Sequence, residues 1–250
     1  MKNMLMVISY DGSAYRGWQR QSQDMSIQGT IESALEKLLN EAICIHGAGR
    51  TDAGVHSIKG QTASFNLKTH IAGDQLKYAL NRALPSSIHI DKIVAVPDAF
   101  HARYDATGKT YQYIIDQSPE ANPLRANYVH HLDKPLDFEA IKVAMTFFIG
   151  THDFKTFMAS GSKIKNTVRT INRFSLEKDR NEYIFTISGS GFLYNMIRII
   201  MGSLIQVGYH KIKPDEMPAI IRSGDRSNAK YTAPASGLYL MNVDYGQRIF

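Results

Sequence analysis

The chain has 250 residues, 44% hydrophobic and 21% charged, which suits one large core or two smaller ones and excludes a fibrous or disordered protein. Its 29 Lys and Arg exceed its 23 Asp and Glu, and the net charge of +6 suits a polyanionic partner such as nucleic acid. The single cysteine, Cys44, excludes an internal disulfide and a cysteine-based zinc site and fits a reducing compartment. The apolar run Met4–Ile8 is too short for a secretion signal, and no run approaches the ~20 residues of a membrane helix, so a cytoplasmic location is expected.

In chain order, Met4–Tyr10 reads as a strand. Ser26 can cap a helix whose stripe is Ile27, Ile31, Ala34, Leu35, Leu38 and Leu39. A glycine-punctuated loop, HGAGRTDAGVH (46–56), precedes a strand over Gly60–Leu67, a helix over Asp74–Ala83 and a strand over Ile88–Val96. Pro97–Gly108 interrupts this alternation and marks a boundary between a unit at 1–104 and one at 105–250. The second unit is expected to hold a strand at Thr110–Ile115, a helix at Asp137–Ile149 and a hairpin from Val168–Leu176 and Tyr183–Ser188. A long helix at Phe192–Val207, a short one from Pro214 and a strand at Leu238–Tyr245 complete it. Strands and helices mixed in this way give an α+β class in two units.

The loop at 46–56 sets Arg50 and Asp52 two residues apart among Gly47, Gly49 and Gly54. Such spacing suggests backbone bent into conformations a Cβ would forbid, either a tight surface turn whose charges face water or a carboxylate held rigidly in a cleft. Gly49–Gly54 begins like a phosphate-binding loop, but Val55 and His56 stand where Lys and Ser/Thr are needed. A dinucleotide fingerprint fails because Asp52 occupies the third glycine position. His46 and His56 have no metal-ligand spacing and read as structural.

Arg198 is the only charge in the apolar stretch FLYNMIRIIMGSLIQVG (192–208). Such a guanidinium either reaches water along its stem or pairs with an anion, for which Asp52 is the attractive partner. That pairing would keep the carboxylate ionised for work as nucleophile or base. Tyr111 and Tyr113, alternating in GKTYQYII (108–115), either pack on a sheet face or offer a platform for an unpaired base. Arg16 and Arg20 beside Trp18, and Lys155, Lys163, Lys165 and Arg169 around a Ser-Gly-Ser loop, are either solvated charges or phosphate contacts.

GRTDAGVH (49–56) resembles the signature of the tRNA pseudouridine synthase A family. YDGSAYRGWQRQ (10–21), SIQGTIESAL (26–35), FHARYDATGKTYQYII (100–115), GTHDF (150–154), GFLYNMIRIIMGSLIQVG (191–208) and APASGLYLMNVDY (233–245) resemble further family segments, in family order. The resemblance implies the pseudouridine synthase fold, two α+β units whose mostly antiparallel sheets join, with a catalytic cleft between them. It implies that Asp52 is the catalytic aspartate, Arg198 its ion-pair partner and Arg50 the residue that helps extrude the base. Tyr111 would stack on the uracil and Leu238 would line the pocket. The implied reaction, by base flipping, converts uridine to pseudouridine at positions 38, 39 and 40 of the tRNA anticodon arm. A homodimer would act without metal or other cofactor, and Arg16, Arg20, Lys163, Lys165 and Arg169 would be candidates for tRNA backbone contacts. Asp52 could attack C1′, add to C6 or take a C2′ proton. A non-catalytic RNA-binding protein, or a nucleoside hydrolase or glycosyl transferase, is the competing reading.

Overall fold

In chain order, a computed structural model describing residues 1–162 and 164–246 shows β1 (Lys2–Tyr10), α1 (Ile27–Leu39), a two-residue β2 (His46–Gly47), β3 (His56–Leu67), α2 (Gly73–Ala83) and β4 (Ile88–Ala95). These are followed by β5 (Gly108–Asp116), a two-residue β6 (His130–His131), α3 (Phe138–Thr146) and β7 (Gly150–Asp153). The hairpin of β8 (Val168–Asp179) and β9 (Glu182–Gly189) precedes α4 (Met196–Gly208), α5 (Met217–Arg222) and β10 (Leu238–Asp244). The class is α+β, as the alternation of patterns suggested.

Two compact units arise, Met1–Lys109 joined by the strand from Tyr239, and Thr110–Leu238. The sequence pattern suggested one cut, at 104/105. In the structure the chain returns to its first unit, because Tyr239 and Leu240 pair in parallel with His56 and Ser57 of β3. That pairing also explains why β3 starts at His56 rather than Gly60.

Within the first unit the strand order is β4-β1-β3-β10, with β2 added on β3. β1 runs antiparallel to both β3 and β4. Its alternate residues Met4, Met6, Ile8 and Tyr10 join Ala63, Phe65 and Leu67 of β3 and Ile88, Ile90 and Ile93 in one buried cluster. The period of two selects a single face, and α1 and α2 cover it with Ile27, Ile31, Ala34, Leu35, Leu76 and Leu80. Ser26 caps α1 as expected, accepting from the Gly29 amide. The stripe ends sooner than expected: Leu38 is 40% exposed, because it lies off the arc of the helix that meets the sheet. Truncating a fully buried member such as Ile31 to Ala would cost about 2–5 kcal/mol.

The second unit has the order β5-β9-β8-β7, with β6 parallel to β5 through Ile115 and His130. β8 is antiparallel to both β7 and β9, so the expected hairpin is present. Phe148, Phe154 and Phe157 meet edge to face at 5.2–6.3 Å in its core. α3 begins after Asp137, whose carboxylate accepts from the Ala140 amide, and ends at Thr146 rather than Ile149. α4 begins at Met196, not Phe192: Asn195 sits at φ 58°, a left-handed conformation that the preceding residues cannot extend as helix. No helix among the described residues is long and apolar enough to cross a membrane.

Candidate active site

The loop between β2 and β3 is tied down at several residues. Ala48 donates to the Thr62 carbonyl at 2.8 Å. Gln61, fully buried, donates from Nε2 to the Gly49 carbonyl at 2.9 Å. The Trp18 amide donates to the Thr51 carbonyl at 3.1 Å, and the Thr51 and Tyr10 hydroxyls share a hydrogen bond of 2.8 Å. Burial pushes the Tyr10 phenol well above its ordinary range, so this clamp stays uncharged. Gly54, at φ 79°, lets the loop close on itself through Val55 N–H to the Asp52 carbonyl at 3.2 Å.

Steric closeness explains Gly47, and closeness together with a left-handed backbone explains Gly17. A Cβ on Gly47 would stand 2.4 Å from the indole of Trp18. A Cβ on Gly17, itself at φ 90°, would stand 2.5 Å from the Thr51 carbonyl oxygen. The indole and this backbone therefore pack directly on the chain that carries Asp52, and a side chain at either position would push the loop away. Asp52 is half-buried in this frame and Arg50 is exposed. His56 is buried, takes the Gly12 amide on Nδ1 at 3.2 Å, lies 3.2 Å from an Asp11 carboxylate oxygen, and stacks on Tyr239. His46 is exposed and packs its ring against His101 at 5.2 Å. Neither histidine joins a cluster of three metal-ligating side chains among the described residues.

On the second unit, Tyr111 and Tyr113 occupy one face of β5 but differ in surroundings. Tyr113 is a core residue whose hydroxyl lies 3.0 Å from His130 Nδ1 and donates to the Pro234 carbonyl at 3.0 Å. Burial, with His131 nearby, lowers His130 to about 4, so its ring is neutral at pH 7. Tyr111 is 7% exposed and meets Phe192 edge to face at 5.4 Å, which fixes the plane of its ring. Leu238, at the start of β10, is buried.

Arg198 does not run out to water. It is half-buried on the first turn of α4, where Nε donates to the Ala233 carbonyl at 2.8 Å and a terminal nitrogen donates to Asn195 Oδ1 at 2.9 Å. The Ala233 amide returns a bond to the Arg198 carbonyl at 3.0 Å. Two acceptors on two sides hold the planar guanidinium in one orientation, which a flexible ammonium would not retain. Sequence patterns did not reveal these supports. The asparagine before α4 was a usable signal, since Asn tolerates the left-handed conformation; the Ala233 carbonyl, 35 residues away, left none.

The expected backbone contacts are differently placed. Arg16 lies 3.7 Å from Asp24, and Arg20 lies 2.9 Å from Glu32, so both exposed guanidiniums have carboxylates close by. Arg169 bonds the Asn166 and Val168 carbonyls, and partial burial lowers its pKa from the usual value. Lys165 is exposed; Lys163 lies outside the described residues.

Residues 6–105 and 144–246 match the model of a family described as tRNA pseudouridine synthase. The chain is 47% identical over 245 residues to tRNA pseudouridine synthase A of Acetivibrio thermocellus, an alignment covering 98% of this chain and 100% of the relative. It is 42% identical over 246 residues to the enzyme of that name from Limosilactobacillus reuteri, covering 96% of both. Identity to tRNA pseudouridine synthase A 2 of Clostridium perfringens is 43% over 245 residues, with 98% and 100% coverage. With a loop locked around an aspartate and matches that run nearly the length of the chain, the protein belongs to the tRNA pseudouridine synthase family.

Proposed function

We propose that the protein isomerises uridine to pseudouridine at positions 38, 39 and 40 of the tRNA anticodon arm, with Asp52 as its catalytic carboxylate. Family membership supports the reaction class, and the rigid frame around Asp52 is the observation that carries the residue. A carboxylate that must meet a ribose or uracil carbon has to be positioned within about half an ångström, and loops achieve this only when their backbone is tied down.

In this reading the target nucleotide leaves its stack, at a few kcal/mol, and enters the pocket. Arg50, exposed two residues before Asp52, helps draw it out or fills its place. The N1–C1′ bond breaks, the uracil turns, and C5 joins C1′; C5 loses a proton and N1 gains one, so atoms balance without hydrolysis or redox change. Attack of Asp52 on C1′, addition to C6 and removal of a C2′ proton all need the carboxylate ionised, which Arg198 as ion-pair partner favours. Tyr111 stacks on the uracil, and Leu238 closes the apolar side of the pocket, so that the detached base is retained and water excluded. The enzyme acts in the cytoplasm as a homodimer with no cofactor, and Arg16, Arg20, Lys163, Lys165 and Arg169 contribute phosphate contacts.

The test is an unmodified tRNA transcript carrying uridines at 38 to 40, incubated with wild type and with Asp52→Asn, and mapped site by site for pseudouridine. Wild type should modify that arm, and Asp52→Asn should lose at least about 10³-fold in rate while still binding tRNA. Binding with no pseudouridine from wild type would favour a non-catalytic RNA-binding protein, and release of free uracil would favour a hydrolase.

A further inference from the structure

Outside the residues assigned above, the first unit displays a run of three stacked side chains. His46 and His101 have ring centroids 5.2 Å apart, and His101 and Tyr104 4.4 Å, with tilts of 34° and 37°. Tyr104 ends the run with 76% of its surface open. The Arg103 guanidinium stands 5.9 Å from its ring centroid, at the outer reach of a cation–π contact.

A single exposed tyrosine needs no explanation. This one is mounted on a rigid support. The Tyr104 and Asp105 amides both donate to the His101 carbonyl at 3.1 Å, the His101 amide donates to the Asp105 carboxylate at 2.7 Å, and Arg103 N–H donates to His101 Nδ1 at 3.1 Å. Ala102, fully buried, fastens this turn to the sheet: its amide donates to Ser64 Oγ at 3.0 Å and its carbonyl accepts from the Tyr245 hydroxyl at 2.9 Å. The turn is thus anchored from inside while its aromatic rings face out, and those rings contribute nothing to the buried cluster of the unit.

We propose that the His46–His101–Tyr104 run is a stacking platform for an unpaired base of the tRNA substrate, with Tyr104 in contact with the base and Arg103 close to its phosphate. The proposal rests on tRNA being the partner. A preformed aromatic face accepts any base, because every base has a π-face, and little side-chain freedom is lost on binding. Exposed Arg103 supplies positive charge beside the Tyr104 ring, and the neighbouring carboxylate, Asp105, is engaged by the His101 amide at 2.7 Å. His46 is also six residues before Asp52 along the chain, a span of at most about 20 Å, and Tyr104 lies beyond it by ring spacings of 5.2 and 4.4 Å, so the platform holds a nucleotide within about 30 Å of the target. It would register the tRNA, not perform chemistry.

Two variants test this. Tyr104→Ala should raise KM for an unmodified tRNA transcript by about 5- to 100-fold, with kcat unchanged and the salt dependence of binding unaltered. Tyr104→Phe should behave as wild type, since the ring and not the hydroxyl carries the contact. Tyr104→Trp places an indole on the platform, read against a wild type whose one tryptophan, Trp18, is 2% exposed. Its emission should be quenched by the transcript beyond any change in wild type. Wild-type KM in Tyr104→Ala would overturn the platform, as would a Tyr104→Phe variant as weak as Tyr104→Ala. A change in oligomeric state on Tyr104→Ala would overturn it in favour of a contact between protein copies. Quenching in Tyr104→Trp, with no pseudouridine formed by wild type, would uphold the platform and overturn the catalytic reading instead.

Discussion

Residues 48–55 and, among the described residues, 158–162 with 164–167 lie outside helix and strand, and both stretches mix glycine, hydroxyl residues and basic side chains. The space around their glycines differs. The first is held by partners distant in sequence: Tyr10 is 41 positions from Thr51, and Gln61 is 12 from Gly49. In the second, Ala159 N–H reaches the Tyr194 carbonyl and the Thr167 hydroxyl donates to Asp153, while Val168 N–H to Asn166 Oδ1 and Ile164 N–H to Ser162 Oγ are local. Gly161, at φ 81°, has nothing within 4 Å of where a Cβ would be, whereas a Cβ on Gly47, just before the first loop, would enter an indole ring. Gly47 makes room for a neighbour; Gly161 only permits a turn. A loop that must hold a reactive group needs the first arrangement, and one that meets a flexible polyanion from solvent can use the second.

Substitutions can break this contrast, and the largest effect is expected at Gly47. Gly47→Ala would drive a methyl group into Trp18 and should destabilise the protein by about 3 kcal/mol or more, with activity lost in parallel. A melting temperature unchanged from wild type would show that Trp18 moves aside freely and that the frame is not rigid. Gly161→Ala meets no neighbour and bears only the left-handed backbone penalty, roughly 1–2 kcal/mol.

Tyr10→Phe sharpens the same contrast through pH. The buried phenol has a folded-state pKa above its ordinary 10.0, so its share of stability is complete below pH 10 and is lost as pH rises beyond. Removing the hydroxyl should cost about 1 kcal/mol at neutral pH, by freeing Thr51, and should flatten part of the alkaline decline in melting temperature. An alkaline curve parallel to wild type would exclude Tyr10 as a source of that decline. The smallest effect belongs to Lys165→Ala: stability within about 0.5 kcal/mol of wild type, and a log–log salt slope for tRNA binding lower by about one. An unchanged slope would remove Lys165 from the phosphate contacts.

How much of this could be read in advance depended on how local the cause was. The start of the α1 stripe, its Ser26 cap and the 168–188 hairpin are written in neighbouring residues, and they formed where expected. The two-residue strands β2 and β6 have no periodicity to detect and exist only because partners lie alongside. α4 kept its apolar character but lost its first turn to Asn195, a left-handed residue that hydrophobic spacing cannot reveal. At the site, the glycines around Asp52 read as conformational, which holds for Gly54 but not for Gly47 or Gly49, and nothing nearby identified Trp18 as what packs on Gly47. Arg198 was legible as a charge needing an anion or water; the neutral acceptors that hold it were not, although Asn195 was near enough to find.

The parallel pairing of Tyr239 and Leu240 with β3 has a consequence for biosynthesis. The Tyr245 hydroxyl, which bonds Thr62 across 183 positions and also holds Ala102, emerges from the ribosome after the whole second unit. Until then the nascent first unit presents β3 with part of one edge open, and the turn that carries Tyr104 lacks one of its two anchors. An open edge is a template for wrong pairing, and closing so long a loop is slow. The Asp52 loop, whose following strand is that same β3, therefore matures late, and a truncated chain of the first unit alone should be the species most dependent on chaperones.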